Sequence, residues 1–155
     1  MEKEKLYCGY YESPIGVIEV EGTDVAVRSV NFVENRRQGF VSNGVVDQAV
    51  QEMDEYFTGK RQKFEVPLDL QGTPFQRAVW KELLKIPYGG TVSYGDIARA
   101  IENPKAVRAV GGANHRNPAA IVVPCHRVIG SDGSMTGYGS GIWRKEWLLK
   151  HESGS

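Results

Sequence analysis

Cys125 and His126 stand side by side in the stretch IVVPCHRVIG, residues 121–130, behind an apolar run and Pro124. A thiol attacks as its thiolate, and a free cysteine has a pKa of about 8.5, so a neighbouring base or a positive field must hold the sulfur deprotonated. His126 is the base nearest in sequence. On extended backbone, however, successive side chains point to opposite faces. A Cys125–His126 partnership therefore requires a turn here or an intervening water. A carboxylate behind the imidazole would orient it and stabilise its charged form. Glu146 and Glu152 near the end of the chain are the candidates. The competing reading is that Cys125 fills core space and His126 lies on the surface. The pair alone does not decide between them.

The segments around this pair read as helices. TPFQRAVWKELLKIPYGG has Thr73 as cap, Pro74 in the first turn, an apolar face through Phe75, Val79 and Leu83, and a Pro/Gly stop. In SYGDIARAI, Ser93 precedes Asp96 by three, the spacing of a capping box. NPKAVRAVGGANHRN follows at once, with Asn103 as expected cap and Pro104 as expected first residue. Two short helices so closely joined form a helix-turn-helix, the second being the recognition helix. Ala106, Ala109, Gly111, Gly112 and Ala113 would let that helix approach a backbone closely, while Arg108 projects. IWRKEWLLKHE reads as a last amphipathic helix with Ile142, Trp143 and Trp147 in the core.

The first half reads differently. LYCGYYES, GVIEVEG and VAVRSVNFVE are strand-like, with SPIG as the first turn. VDQAVQEMDEYFTGK reads as a helix capped by Asp47, with Val46, Val50, Met53 and Phe57 on one face and Gly59 at its end. KRQKFEVPLDLQG is a linking stretch. The pattern predicts an α+β fold of two lobes, 1–70 with sheet and helix and 71–152 mainly helical.

A chain of 155 residues with 41% apolar and 25% charged residues has the composition of a folded soluble protein, and no apolar run reaches the roughly 20 residues of a membrane helix. The start carries alternating charge and no apolar signal core, which points to the cytoplasm and away from membranes. Cys8 and Cys125 are the only thiols; with three histidines lacking ligand spacing, they predict neither a disulfide nor a metal site. Net charge is zero, yet residues 1–73 hold 8 Lys and Arg against 13 Asp and Glu, and residues 74–155 hold 11 against 6. The second half is the one suited to an anion. Tyr94 and Arg108 in a helix-turn-helix ahead of a cysteine match a base-flipping apparatus, with an aromatic to handle the everted nucleotide and a long side chain to fill the stack.

PCHRV at 124–128, with NPAAIVV and GTVSYGDIARAIENPKAVRAVGGANHRNP before it, resembles the O6-alkylguanine-DNA alkyltransferase family. The likeness covers residues 74–152; the first half matches loosely, through SPIG and its strand–helix order. The resemblance implies a small ribonuclease-H-like lobe followed by a winged-helix-like lobe that carries the site. It implies direct, irreversible transfer of an alkyl group from O6 of guanine in double-stranded DNA to Cys125, once per molecule. No cofactor is needed and a monomer suffices, in the cytoplasm or, in a eukaryote, the nucleus.

By position, His126 would act on the thiol through water, with Glu152 behind it and Asn117 bracing the turn. Tyr94 would press on the flipped nucleotide and donate to guanine N3, and Arg108 would replace the base in the stack. Ser93, Ala109 and Gly112 would meet the DNA. The carbonyls of Cys125 and Val128 would accept from the guanine amino group. Tyr138, Gly139 and Ala120 would wall the pocket. The zinc ligands of some relatives' first lobes are missing. The chemistry agrees: displacement at an sp³ carbon wants a soft nucleophile and a donor to the departing purine, and a thioether product has no bond that water readily cleaves. The rivals predict other things. A cysteine hydrolase would turn over; a DNA-binding regulator would not need its cysteine; a lesion-binding relative would lack it.

Overall fold

Alternating apolar residues and the Ser13–Gly16 turn begin the structure. A computed structural model of the chain describes residues 4–135 and 137–154. Strands β1 (Tyr7–Ser13), β2 (Gly16–Gly22) and β3 (Val27–Val33) form an antiparallel meander in that order. Its register runs from Tyr7 opposite Gly22 to Ser13 opposite Gly16, then from Val17 opposite Val33 to Gly22 opposite Val27. The first turn is closed by Ser13, whose hydroxyl donates to the Gly16 carbonyl at 2.7 Å and accepts from the Ile15 N–H at 3.1 Å.

Helix α1 (Gly44–Phe57) covers one face of this sheet, burying Val46, Ala49, Met53, Tyr56 and Phe57 beside Ile18, Val20, Val27 and Val30. Gly9 permits the approach: a Cβ there would meet Val46 Cγ1 at 2.7 Å. The helix starts earlier than the sequence suggests. Asn43, not Asp47, is the cap, accepting from the Val46 N–H at 3.0 Å. Asp47 falls instead in the first turn, where a negative charge favours the helix dipole. Buried Glu52 accepts from the N–H groups of Glu65 and Val66 at 2.8 and 3.1 Å and ties down the stretch that follows α1.

The chain divides into two compact units, the first ending at Gln71 but taking in Pro118–Val122 as well. The Val30 N–H donates to the Pro118 carbonyl, and the Ala120 N–H to the Val30 carbonyl, each at 2.9 Å. Ile121 follows with φ +73°, a left-handed conformation that a β-branched residue adopts only under strain.

The second unit comprises Gly72–Asn117 and Val123 onward. Helix α2 (Pro74–Leu83) opens with the expected cap at Thr73, whose side chain accepts from the Gln76 N–H, and buries Val79, Trp80 and Leu83. Phe75 is only half-buried. The Trp80 indole donates to the Ala113 carbonyl at 2.8 Å, joining α2 to helix α4 (Val107–His115). Strand β4 (Val92–Ser93) leads into helix α3 (Tyr94–Ala100), where the Ser93–Asp96 capping box forms as read.

The start of α4 differs from the reading. Asn103 is already committed to ending α3: its N–H reaches the Ala98 carbonyl at 2.9 Å, and Glu102 before it has φ +60° with its N–H on Arg99 at 3.0 Å. This is the hydrogen-bond pattern of a Schellman cap, built on glutamate where glycine is usual. Asn103 does not cap α4, which begins four residues on, at Val107 behind Ala106, with no side-chain cap.

Strand β5 (Val128–Ile129) pairs in parallel with β4, Val92 opposite Val128. Helix α5 (Ile142–Ser153) closes the unit. Its inward stripe is Lys145, Leu148 and Glu152, spaced three and four apart. Ile142 and Trp143, expected in the core, are 45% and 55% exposed, and Trp147 is half-buried with its ring stacked on His151. Lys145 and Glu152 turn inward because partners for them lie on the turn described next. The α+β architecture, a small antiparallel sheet unit followed by a helical unit, is the one expected.

Candidate active site

Pro124, with φ −81° and ψ 64°, makes an inverse γ-turn in which the Cys125 N–H returns to the Val123 carbonyl at 2.8 Å. Cys125–Arg127 then form one turn of 3₁₀-helix. The backbone is thus a turn, which removes the objection that Cys125 and His126 must face apart. All three residues are buried, His126 fully. Asn117 braces this turn: its amide donates to the Val123 carbonyl at 2.7 Å and hydrogen-bonds to the Cys125 thiol.

Behind His126 lies a charged array. Glu152 Oε2 is 2.7 Å from His126 Nε2, and Arg127 grips the same carboxylate in a fork, Nε to Oε1 at 2.7 Å and Nη2 to Oε2 at 2.9 Å. Arg127 also donates to the Ile86 carbonyl at 2.7 Å and lies over the Tyr88 ring. Paired this way, the buried carboxylate has its lone pairs taken up, which is what makes burying it tolerable. The carboxylate behind the histidine is Glu152; Glu146 is exposed on α5.

Two further polar side chains enter the same neighbourhood. Lys145, 0% exposed, donates from Nζ to the Val128 carbonyl at 2.5 Å and sits 6.0 Å from the centre of the Tyr94 ring. Asn114, buried on α4, donates from Nδ2 to the Cys125 carbonyl at 3.3 Å. Tyr94 is hemmed by glycines: a Cβ on Gly137 (φ +71°) would meet its hydroxyl at 2.9 Å, and one on Gly111 its ring at 4.0 Å. Among the described residues, the buried side-chain polar atoms left without a partner are Asn114 Oδ1, His126 Nδ1 and Tyr138 Oη. All three belong to the second unit, where buried groups are normally satisfied.

Burial pushes the Cys125 thiol above its usual pKa, against the hydrogen bond from Asn117 and the charge of Lys145, which act to lower it. Burial thus opposes loss of the thiol proton, and the Asn117 hydrogen bond and the Lys145 charge favour it. Burial pulls His126 below its usual value; Glu152 opposes this, and Arg127 and Lys145 add to it. The imidazole is therefore a neutral base with Nδ1 unengaged. Burial also lowers Lys145, with the Cys125 charge opposing, and raises Tyr138, with Cys125 adding to the rise.

The remaining expected residues fall in four places. Arg108, Ala109 and Gly112 lie on the exposed face of α4, and Gly112 has open space where a Cβ would be. Ser93 is occupied as the cap of α3. Gly139 lies against His115, 3.2 Å from where its Cβ would sit. Ala120 lies in the first unit, its N–H donating to the Val30 carbonyl. Sequence reasoning missed Arg127, Lys145 and Asn114 as site residues. The signal for Lys145 was its position seven before Glu152, two turns along one helix face. No group of three or more His, Cys, Asp or Glu that could hold a metal occurs among the described residues.

Fold and site together define a class: an α+β protein whose helical unit pairs a helix-turn-helix with a buried cysteine backed by histidine and glutamate. Residues 74–154 match the family model described as 6-O-methylguanine DNA methyltransferase, DNA binding domain, and residues 6–70 match that family's ribonuclease-like domain. The chain belongs to the 6-O-methylguanine DNA methyltransferase family. A methylated-DNA–protein-cysteine methyltransferase of Methanosarcina acetivorans is 47% identical over 95% of this chain and 98% of its own length. The namesake from Mycobacterium leprae is also 47% identical, over 95% and 92%. The crystal structure of the O6-methylguanine methyltransferase of Mycobacterium tuberculosis superposes with a TM-score of 0.88 at 44% identity, covering 97% of this chain and 94% of that one. A complex of the M. tuberculosis protein with DNA gives 0.88 at 46% identity over 96% and 93%.

Proposed function

We propose that this chain repairs DNA by moving an alkyl group from O6 of guanine to Cys125, once per molecule. One observation carries the reading: a buried thiol stands next in the chain to a buried histidine whose imidazole is paired with a buried carboxylate, within the unit that also presents Arg108 on the exposed face of α4. In the reaction, a bond forms between Sγ and the alkyl carbon as the bond from that carbon to O6 breaks, its electron pair leaving with the purine. The thiol proton passes to His126 Nδ1, directly or through one water, and Glu152 stabilises the imidazolium. Tyr94 donates a proton to the departing base and regains one from the imidazolium through solvent, so that thiol and alkylguanine become thioether and guanine. Lys145 adds positive charge where the sulfur becomes anionic.

The substrate is duplex DNA bound by a monomer. Ser93, Ala109 and Gly112 meet the backbone, Arg108 fills the space of the everted base, and Tyr138 and Gly139 line the pocket. The protein works wherever the cell keeps its DNA, in the cytoplasm of a cell without a nucleus. Support comes from the shared family, from the turn geometry and from the positive second half of the sequence. The test is intact mass after incubation with a duplex bearing O6-methylguanine. One methyl per chain, mapped to the Cys125 peptide with no further turnover, is the expected result; an unmodified sulfur or repeated turnover would refute the proposal.

A further inference from the structure

We propose that Asn114 recognises the 2-amino group of the everted base and so sets the preference for guanine over bases that lack it; this rests on the alkyl-transfer reading above. The argument starts from an unfilled valence. Asn114 is 2% exposed, and its amide oxygen has no hydrogen-bond partner among the described residues. Leaving a buried acceptor unpaired is costly, and folded proteins rarely do so without a reason. The other end of the same amide donates to the carbonyl of Cys125 at 3.3 Å. The vacant acceptor is therefore one carbon away from an atom that touches the reactive residue.

The chemistry of the substrate narrows what fills it. Alkylation at O6 removes the N1 proton of guanine, leaving N1, N3 and N7 as acceptors. The exocyclic amino group is then the only N–H donor on the base. An acceptor beside the reacting thiol has that one partner to find. The two carbonyls expected to take the amino group already accept from side chains, Cys125 from Asn114 and Val128 from Lys145 at 2.5 Å. Each keeps a second lone pair, but of these three oxygens Asn114 Oδ1 is the one with nothing bound. O6-alkylhypoxanthine and O4-alkylthymine have no exocyclic amino group and would leave it unsatisfied.

The experiment compares single-turnover methyl transfer from duplexes carrying O6-methylguanine or O6-methylhypoxanthine, for the wild type, Asn114→Leu and Asn114→Asp. The ratio of the two rates within each protein cancels differences in active fraction. The wild type should favour guanine about tenfold, the size expected for satisfying a buried acceptor. Asn114→Leu should bring the ratio near one, and Asn114→Asp, which keeps an acceptor, should preserve it. If the leucine variant does not fold, Asn114→Ala is read in the same way. An unchanged ratio in the apolar variant, or no preference in the wild type, would overturn the assignment. A wild type that takes methyl from neither duplex would instead overturn the alkyl-transfer reading.

Discussion

The two cysteines of this chain are both buried, and both thiols are pushed up in pKa chiefly by that burial. Each also has a cation at hand. Cys8, on β1, receives Arg37 Nη2 at 3.1 Å from its sulfur. Cys125 has the nearby charge of Lys145. The difference lies in what stands behind the cation. Arg37 is bound by Glu19 and Glu21, whose charges push the Cys8 thiol upward and offset the benefit. In the turn that holds Cys125, the carboxylate of Glu152 is paired with the imidazole of His126 and gripped by Arg127. Both thiols have a positive neighbour; what Cys125 has in addition is the adjoining His126, whose buried Nδ1 is without a partner.

That contrast breaks most directly by exchanging the sulfurs for oxygen. Cys125→Ser should abolish alkyl transfer from O6-methylguanine, while Cys8→Ser should transfer at the wild-type rate. A loss in the Cys8 variant, scored by methyl incorporation, would show that the two sites are not as different as described.

Removing the base should cost less than removing the nucleophile. His126→Ala is expected to slow single-turnover transfer by about 10²–10⁴-fold, the range for a positioned general base. A change of less than threefold would mean that the thiol loses its proton elsewhere.

Arg127→Met sharpens the role of the array. With the guanidinium gone, Glu152 acts on the imidazole alone and His126 should take a proton more readily. The acid limb of the pH–rate profile should then move to higher pH. Denaturant unfolding should show a loss of about 3–5 kcal/mol, as for one partner taken from a buried pair. A stability loss with an unmoved acid limb would reduce Arg127 to a structural brace.

The smallest effect concerns pH and stability. The folded pKa of His126 lies below its unfolded value, so at acid pH the unfolded chain binds a proton that the buried imidazole refuses. Stability should fall as pH drops below about 6.5, and less so in His126→Gln. Both thiols shift the other way: folding favours their protonated forms, so stability should fall as pH rises past the usual thiol value of about 8.5. Either cysteine-to-serine variant should flatten that alkaline slope. A slope that responds to only one of them would separate the two sites energetically as well as chemically.

Much of this was legible in the sequence because the signals were local. The Thr73 and Ser93 caps and the SPIG turn each depend on residues within four positions of one another, and each strand on a pattern within seven. What escaped was decided by contacts made far along the chain. The inward face of α5 went to Lys145 and Glu152 over Ile142 and Trp143, since Val128, His126 and Arg127 supply the partners that let charges be buried. The start of α4 slipped because the cap of α3 runs through Asn103 and a turn from Asn103 to Ala106 follows before the helix begins, which a single-helix reading does not register. Cys125 and His126 could be named from the motif, but not the turn they occupy, since it depends on the Cys125 N–H returning across Pro124 to the Val123 carbonyl and on Asn117 holding that same carbonyl.

Helix α4 begins at Val107 with no side-chain cap and no acid in its first turn. A helix start in that condition carries roughly half a positive charge, and its leading amides lack acceptors within the helix. A strand phosphate laid against Val107 and Arg108 would finish that turn as a serine or aspartate does in other helices. Clamping onto the double helix would then stiffen the reading element itself, and the protein should melt at a higher temperature with undamaged DNA present than without it.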